Sequence, residues 1–196
     1  MRLDLALAEK WVTPASRVLD LGCGDGELLA HLRDSFAVRG YGIEIDADRI
    51  TACIARSINV VEQNLNVGLG NFRDASFDTV IMTQALQAVE KPDVLLDDML
   101  RVGREAIITF PNFAYWKTRF YLTLKGMMPV SEALPYTWYN TPNIHLCTFH
   151  DFDSLCREKG IRVLDRIAVD GGQQGSRLAR LFPNLFGEVA IYRLTR

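Results

Sequence analysis

The run Arg17-Val18-Leu19-Asp20-Leu21-Gly22-Cys23-Gly24-Asp25-Gly26 constrains this chain more than any other segment. A short apolar stretch enters three alternating glycines, and an apolar stripe with helical spacing leaves them at Leu28, Leu29, Leu32 and Phe36. A strand that feeds a helix through such a turn is the building unit of a parallel α/β sheet. Glycines at the turn let the backbone reverse tightly and let a ligand approach it closely.

The unit then repeats. Strands are predicted at 39–44, 59–62, 77–82 and 105–110, with further strands at 162–169 and 188–194. Helices are predicted over 1–10, over 48–58 with Ile50, Ile54 and Ile58 four apart, and from Pro92 to Arg101, where proline suits a first turn. An aromatic-rich helix is predicted over 113–124. Thr148 is the expected N-cap of a helix over 150–159, with Asp151 in its first turn and Gly160 just past its end. The residues 127–148 read as an ordered loop rich in proline and aromatics, and 170–187 as a long connection. The predicted architecture is α/β: a three-layer Rossmann-like, mostly parallel seven-stranded sheet with an antiparallel last strand. One domain over 1–196 is expected, with a cap or loop insertion at about 112–148.

Composition removes several alternatives. The chain has 196 residues, which suits one core better than two. Its 22 basic side chains against 24 acidic ones leave no basic excess for a nucleic-acid footprint. No apolar run approaches the roughly 18 residues of a membrane span, and the first ten residues alternate charge with apolar side chains, unlike a signal peptide. Cys23, Cys53, Cys147 and Cys156 form no Cys-x-x-Cys pair and no zinc-ligand spacing, so they read as small buried hydrophobes in a cytoplasmic protein.

The glycine turn also suggests its ligand. In an open α/β sheet, ligands sit at the carboxyl ends of strands beside the switch in strand order. The spacing here is G-x-G-x-G, and Asp20 stands immediately before it. A dinucleotide would bring an anionic pyrophosphate onto this turn, and the carboxylate would repel it. S-adenosylmethionine, or its demethylated product S-adenosylhomocysteine, brings an ammonium group and no phosphate, which Asp20 attracts. Glu44 closes the second strand, where a carboxylate would receive ribose hydroxyls. The candidate cofactor residues are therefore Asp20, Gly22, Cys23, Gly24, Gly26, Glu44 with Ile45, Asn64 with Leu65, and Gln84. Asn64 could meet the adenine edge or only form a turn. Gln84 could meet the methionine end or only start a helix. Asn112, Tyr115, Trp116, Trp138, Tyr139 and His145 are candidates for a substrate or partner pocket, because aromatic walls suit a sulfonium. The same aromatics could equally pack a cap loop. No metal site, Ser-His-Asp arrangement or paired carboxylates can be read, and no catalytic residue is assigned.

Beyond the glycine turn the chain resembles a particular family. The blocks 77–87 (FDTVIMTQALQ), 100–104 (LRVGR), 110–113 (FPNF), 128–130 (MPV) and especially 133–148 (ALPYTWYNTPNIHLCT) resemble, in order, the MetW family of methionine-biosynthesis proteins. The resemblance implies the class I methyltransferase fold and a role in methionine biosynthesis beside the homoserine O-acyltransferase MetX. Asn64 and Asn66 stand where the resemblance leads one to expect acidic residues, so cofactor affinity is expected to differ. Two functions follow as expectations. One is a cofactor-binding subunit that supports or regulates the acyltransferase. The other is an S-adenosylmethionine-dependent methyltransferase acting on a small molecule. The cluster Leu178, Leu181, Phe182, Leu185 and Phe186 could be a partner patch or core.

Overall fold

The computed structural model describes residues 3–131, 133–170, 173–174 and 177–196. Helix α1 (Leu3–Ala8) leads into β1 (Arg17–Leu21), α2 (Glu27–Phe36), β2 (Arg39–Glu44), α3 (Ala47–Ala55) and β3 (Asn59–Glu62). Then come β4 (Phe77–Thr83), α4 (Pro92–Val102), β5 (Gly103–Pro111), α5 (Trp116–Lys125) and α6 (Phe149–Glu158). The chain finishes with β6 (Arg162–Asp170), β7 (Gln173–Gln174), α7 (Arg177–Leu181), α8 (Pro183–Phe186) and β8 (Val189–Thr195). The strand order is β3-β2-β1-β4-β5-β8-β6-β7. These are the seven expected strands, with the two-residue β7 added at the edge beside β6.

The first three strands step outward in one direction, and β4 returns to the other side of β1. Both neighbours of β1 run parallel to it, with Asp20 level with Gly42 on one side and Ile81 on the other. The order therefore switches at β1, and the glycine turn lies at the carboxyl end of that strand. The last strand, β8, does not close the sheet at its edge. It runs antiparallel between β5 and β6 and pairs with both.

Period-two alternation sorts the strand side chains onto two faces. Val18, Ile81, Ile107 and Ile191 pack with Leu5 and Leu7 of α1, with Leu28, Leu29 and Leu32 of α2, and with Cys53 of α3. Leu19, Leu21, Val80, Met82, Ile108 and Phe110 pack with α4 and with Phe149, Phe152 and Cys156 of α6. On this second face Phe110 stacks on Tyr192 at 5.8 Å between ring centroids, and the Tyr192 hydroxyl donates to Asp153 at 2.9 Å.

Local sequence explains several element ends. Pro92 occupies the first turn of α4. Thr148 caps α6 through a reciprocal pair of bonds with Asp151. Asp46 accepts from the Arg49 amide to start α3. In α3, however, the Ile stripe does not face the core as one helical face. The helix stops at Ala55: Ile54 is exposed, Cys53 is the helix side chain buried against the sheet, and Ile58 reaches the same core cluster from the loop after the helix. Helix α5 buries only Thr118 and leaves its apolar side chains in solvent. The long connection expected over 170–187 carries β7, α7 and α8, while its residues 171–172 and 175–176 lie outside the described residues.

Candidate functional site

The carboxyl ends of β1, β2 and β4 open onto a cleft of 870 Å³. Its floor is the glycine turn. Gly22, Gly24 and Gly26 all take left-handed φ, at 72°, 59° and 77°, a region that costs other L-residues about 1–2 kcal/mol. Their surroundings differ. A Cβ on Gly24 would meet nothing within 4 Å, so this position opens onto the cleft. A Cβ on Gly26 would lie 3.0 Å from Cys53 Sγ, so this glycine is required for helix packing. The turn is tied to β2 by the amides of Gly22 and Cys23, which donate to the Ile43 carbonyl at 2.8 and 3.0 Å.

Glu44 has a larger structural part than its position in the sequence suggested. Its carboxylate accepts from the Gly24 amide at 2.9 Å, the Ile45 amide at 2.8 Å and the Asp46 amide at 3.1 Å. It thus joins the glycine turn to the start of α3 while lining the cleft. Asp20 lies beneath the turn and is 2% exposed. Asp25 and Glu27 add two more carboxylates to the lining, and Arg49 is its one cation among the described residues. An acidic, concave surface of this kind attracts an ammonium or sulfonium ligand and repels phosphate.

All the candidate cofactor residues line the cleft except Gly26, which precedes α2. Asn64 both lines it and forms a turn, its side chain accepting from the Asn66 amide at 2.9 Å. Gln84 lines it with a left-handed φ of 52°, and its backbone amide donates to the Thr109 carbonyl at 2.9 Å. The sequence reading missed Leu5 of α1, Arg49, Gln63, Gln87, Tyr136 and Asn143, all of which line the cleft. Gln63 could have been found as the neighbour of Asn64. Leu5 and the loop residues carry no local signal, because only the folded chain brings them over the glycine turn.

The six pocket candidates are not brought together at the cleft. Asn112 is buried, donates to the Asn184 and Gly187 carbonyls, and pins the end of β5 to α8. The Tyr115 hydroxyl donates to Asp170 at 2.7 Å, and burial together with this bond pushes its pKa up, away from any role as a base. Trp116 sits edge-on to Tyr115. Trp138 and Tyr139 point into solvent from the 127–148 loop. His145 lies within 3.3 Å of the Glu90 carbonyl and lines a separate, mostly apolar cavity of 170 Å³ with Phe110, Leu146 and Phe152.

Among the described residues, no histidine or lysine lines the cleft and no cluster has the make-up of a metal site. The cysteine thiols are poor nucleophiles. Burial pushes Cys147 and Cys156 up to about 12 and also raises Cys23, whose neighbours Asp20 and Cys53, the latter at 3.8 Å between sulfurs, act in the same direction.

The strand order, the antiparallel β8 inside the sheet and the glycine cleft at the switch define the class I methyltransferase fold. The solved structures agree. An S-adenosylmethionine-dependent methyltransferase from Mesorhizobium loti superposes with a TM-score of 0.72 at 13% identity, covering 99% of this chain and 98% of that one. One from Archaeoglobus fulgidus gives 0.71 at 17% identity, covering 98% and 91%. Within this class the chain belongs to the MetW family: the family model described as "Methionine biosynthesis protein MetW" matches residues 2–194. A curated relative from Rhodopirellula baltica, the "Bifunctional methionine biosynthesis protein MetXA/MetW", is 39% identical over 94% of this chain. The chain spans 31% of the length of that relative.

Proposed function

We propose that this protein binds S-adenosylmethionine or S-adenosylhomocysteine in the glycine cleft and serves methionine biosynthesis as the partner subunit of a homoserine O-acyltransferase of the MetX kind. The observation that carries the partnership is the Rhodopirellula protein, in which MetXA and MetW parts form one polypeptide. Joining two chains raises the effective concentration of each toward the other, which is useful where the parts meet. The cofactor half of the proposal rests on the cleft. Left-handed Gly22 and Gly24 let a ligand lie on the backbone, buried Asp20 offers its charge to an ammonium group, and Glu44 stands where ribose hydroxyls would arrive. S-adenosylmethionine would supply an electrophilic methyl group there.

Methyl transfer to a small molecule is the second reading, supported by the fold alone, and fold does not decide function. A protonated nucleophile would need a base in reach, and the described cleft offers carboxylates but neither histidine nor lysine. The partner reading is therefore preferred. It also suits a reducing cytoplasm, since all four cysteines are free. No helix among the described residues is long and apolar enough to cross a membrane.

The test is co-purification with a homoserine O-acyltransferase, followed by acyl-transfer assays with this protein added or withheld, each with and without S-adenosylmethionine. Association and a change in acyl-transfer rate are expected. If the two proteins neither associate nor alter the rate, and this protein alone methylates a metabolite at ordinary enzyme rates, the methyltransferase reading replaces the proposal.

A further inference from the structure

The residues between Pro135 and Asn143 have two different faces. Pro135 and Tyr136 on the entering arm, and Pro142 and Asn143 on the leaving arm, line the cleft. Between them a compact turn points away. Asn140 Oδ1 accepts from the Thr137 amide at 2.9 Å and from the Thr137 hydroxyl at 2.8 Å, and the Asn140 amide donates back to the Thr137 carbonyl. Trp138 and Tyr139 at the tip are 75% and 73% exposed, and their rings meet edge-to-face at 5.7 Å. Loop tips ordinarily carry small or polar residues. Here the polar groups are turned inward on one another and two large rings face water. Trp and Tyr are the residue types that dominate binding energy when an interface covers them.

We infer that this turn is the docking tip for the acyltransferase partner, and that a ligand in the cleft strengthens the contact. The inference rests on the partnership proposed above and adds its surface and its regulation. The tip itself carries no charge from Pro135 to Asn143, so an apolar partner pocket would receive it. From 112 to 148 the sequence has Lys117, Arg119 and Lys125 against the single carboxylate Glu132, in a chain with more acidic than basic residues. The three cations are exposed. All three belong to α5, so an acidic partner surface would complement that helix. The coupling follows from the loop's construction. Its arms are walls of the cleft, and its root is fixed to the cleft by the Gln87 carbonyl, which accepts from the Ile144 and His145 amides at 2.8 and 3.0 Å. A ligand that packs against Pro135 and Tyr136 restricts the tip they carry, so less freedom is lost when the partner binds. By linkage, the partner raises the ligand's affinity equally.

The experiment measures binding of the full chain to a purified homoserine O-acyltransferase by biolayer interferometry, with and without saturating S-adenosylmethionine. It compares the parent with Trp138→Ala/Tyr139→Ala and with Leu181→Ser/Phe182→Ser, a control on another exposed apolar patch, at α7 and the turn after it. The tip variant should weaken association by about 30-fold or more while still binding S-adenosylmethionine alone with parental affinity. The control should bind like the parent. Ligand should tighten the parent complex by roughly 5- to 150-fold. Parental association of the tip variant overturns the docking surface and leaves the partnership standing. So would loss of association in the control alone. An unchanged parent affinity with ligand overturns the coupling. If sedimentation shows that the aromatic pair only joins copies of this chain, the inference fails as well. A parent that does not bind the acyltransferase at all removes both the inference and the partnership.

Discussion

Replacing Glu44 with alanine tests whether one carboxylate both builds the cleft and reads its ligand. The substitution deletes the acceptor of three amides, those of Gly24, Ile45 and Asp46. Hydrogen bonds to a charged acceptor contribute about 1.5–3 kcal/mol each where water is absent. Glu44 itself is 6% exposed, but its donors border an open cleft, and water can reach them once the side chain is gone. The expected net loss is therefore about 2–4 kcal/mol of stability, below the dry sum. For a chain of this size that lowers Tm by roughly 4–16 °C. Urea denaturation gives the free energy, and differential scanning fluorimetry gives the shift. Glu44→Gln should fall between the two, because it keeps the volume but sets an NH₂ group against one set of donors. Calorimetry on the folded variant should also show S-adenosylmethionine bound about 1–3 kcal/mol more weakly, from lost ribose contacts. A parental urea midpoint in Glu44→Ala would refute the claim that this carboxylate holds the glycine turn. Lost stability with parental ligand affinity would take Glu44 out of the ribose contact and leave it a purely structural group.

Gly24→Ala and Gly26→Ala should separate ligand binding from folding. The first adds backbone strain of about 1–2 kcal/mol and a methyl group facing the cleft, so calorimetry should show a larger loss of affinity than denaturation shows of stability. The second meets the same strain plus contact with Cys53 Sγ, so urea unfolding should show a fall of about 2–4 kcal/mol; equal stability of the two variants would contradict this. At pH 8 a thiol reagent should label the native protein slowly and all four cysteines rapidly in urea, because burial raises the pKa of each; fast native labelling would show the thiols to be accessible. Asp97, bonded first to Lys159 and also to Arg196, has its pKa lowered from the ordinary 3.8. Its contribution is thus full above that value and is lost as pH falls through the lower, folded-state value. Because the group is part-exposed, screening limits this to less than about 1 kcal/mol, and Asp97→Asn should flatten the acid limb of a Tm-against-pH curve by that amount.

The parts of the molecule legible in the sequence are those fixed by local backbone conformation and by side-chain period. Three glycines in alternation marked a tight backbone turn between strand and helix, and all three have positive φ. Thr148 and Asp151 were legible as a cap because capping bonds span only three residues. The central strands β1, β4 and β5 carried near-continuous apolar runs because they are covered on both faces. Where period alone was the guide, as with the Ile stripe on α3, the reading held only in part: the helix ends early, Ile54 faces water, and Cys53 and Ile58 supply the core contacts.

The tertiary structure decided what depends on chain segments far apart. Nothing in residues 189–195 states that β8 enters between β5 and β6, since that position follows from pairing with strands laid down earlier. Likewise the aromatic residues of 112–148 have similar character as letters, yet their environments diverge. Tyr115 is buried against Asp170, Tyr136 walls the cleft, and Trp138 and Tyr139 stand in water. A side chain's type sets what it gains from burial. Where it lies is set by the long-range packing of the sheet and its covering segments, which a single stretch of sequence does not contain.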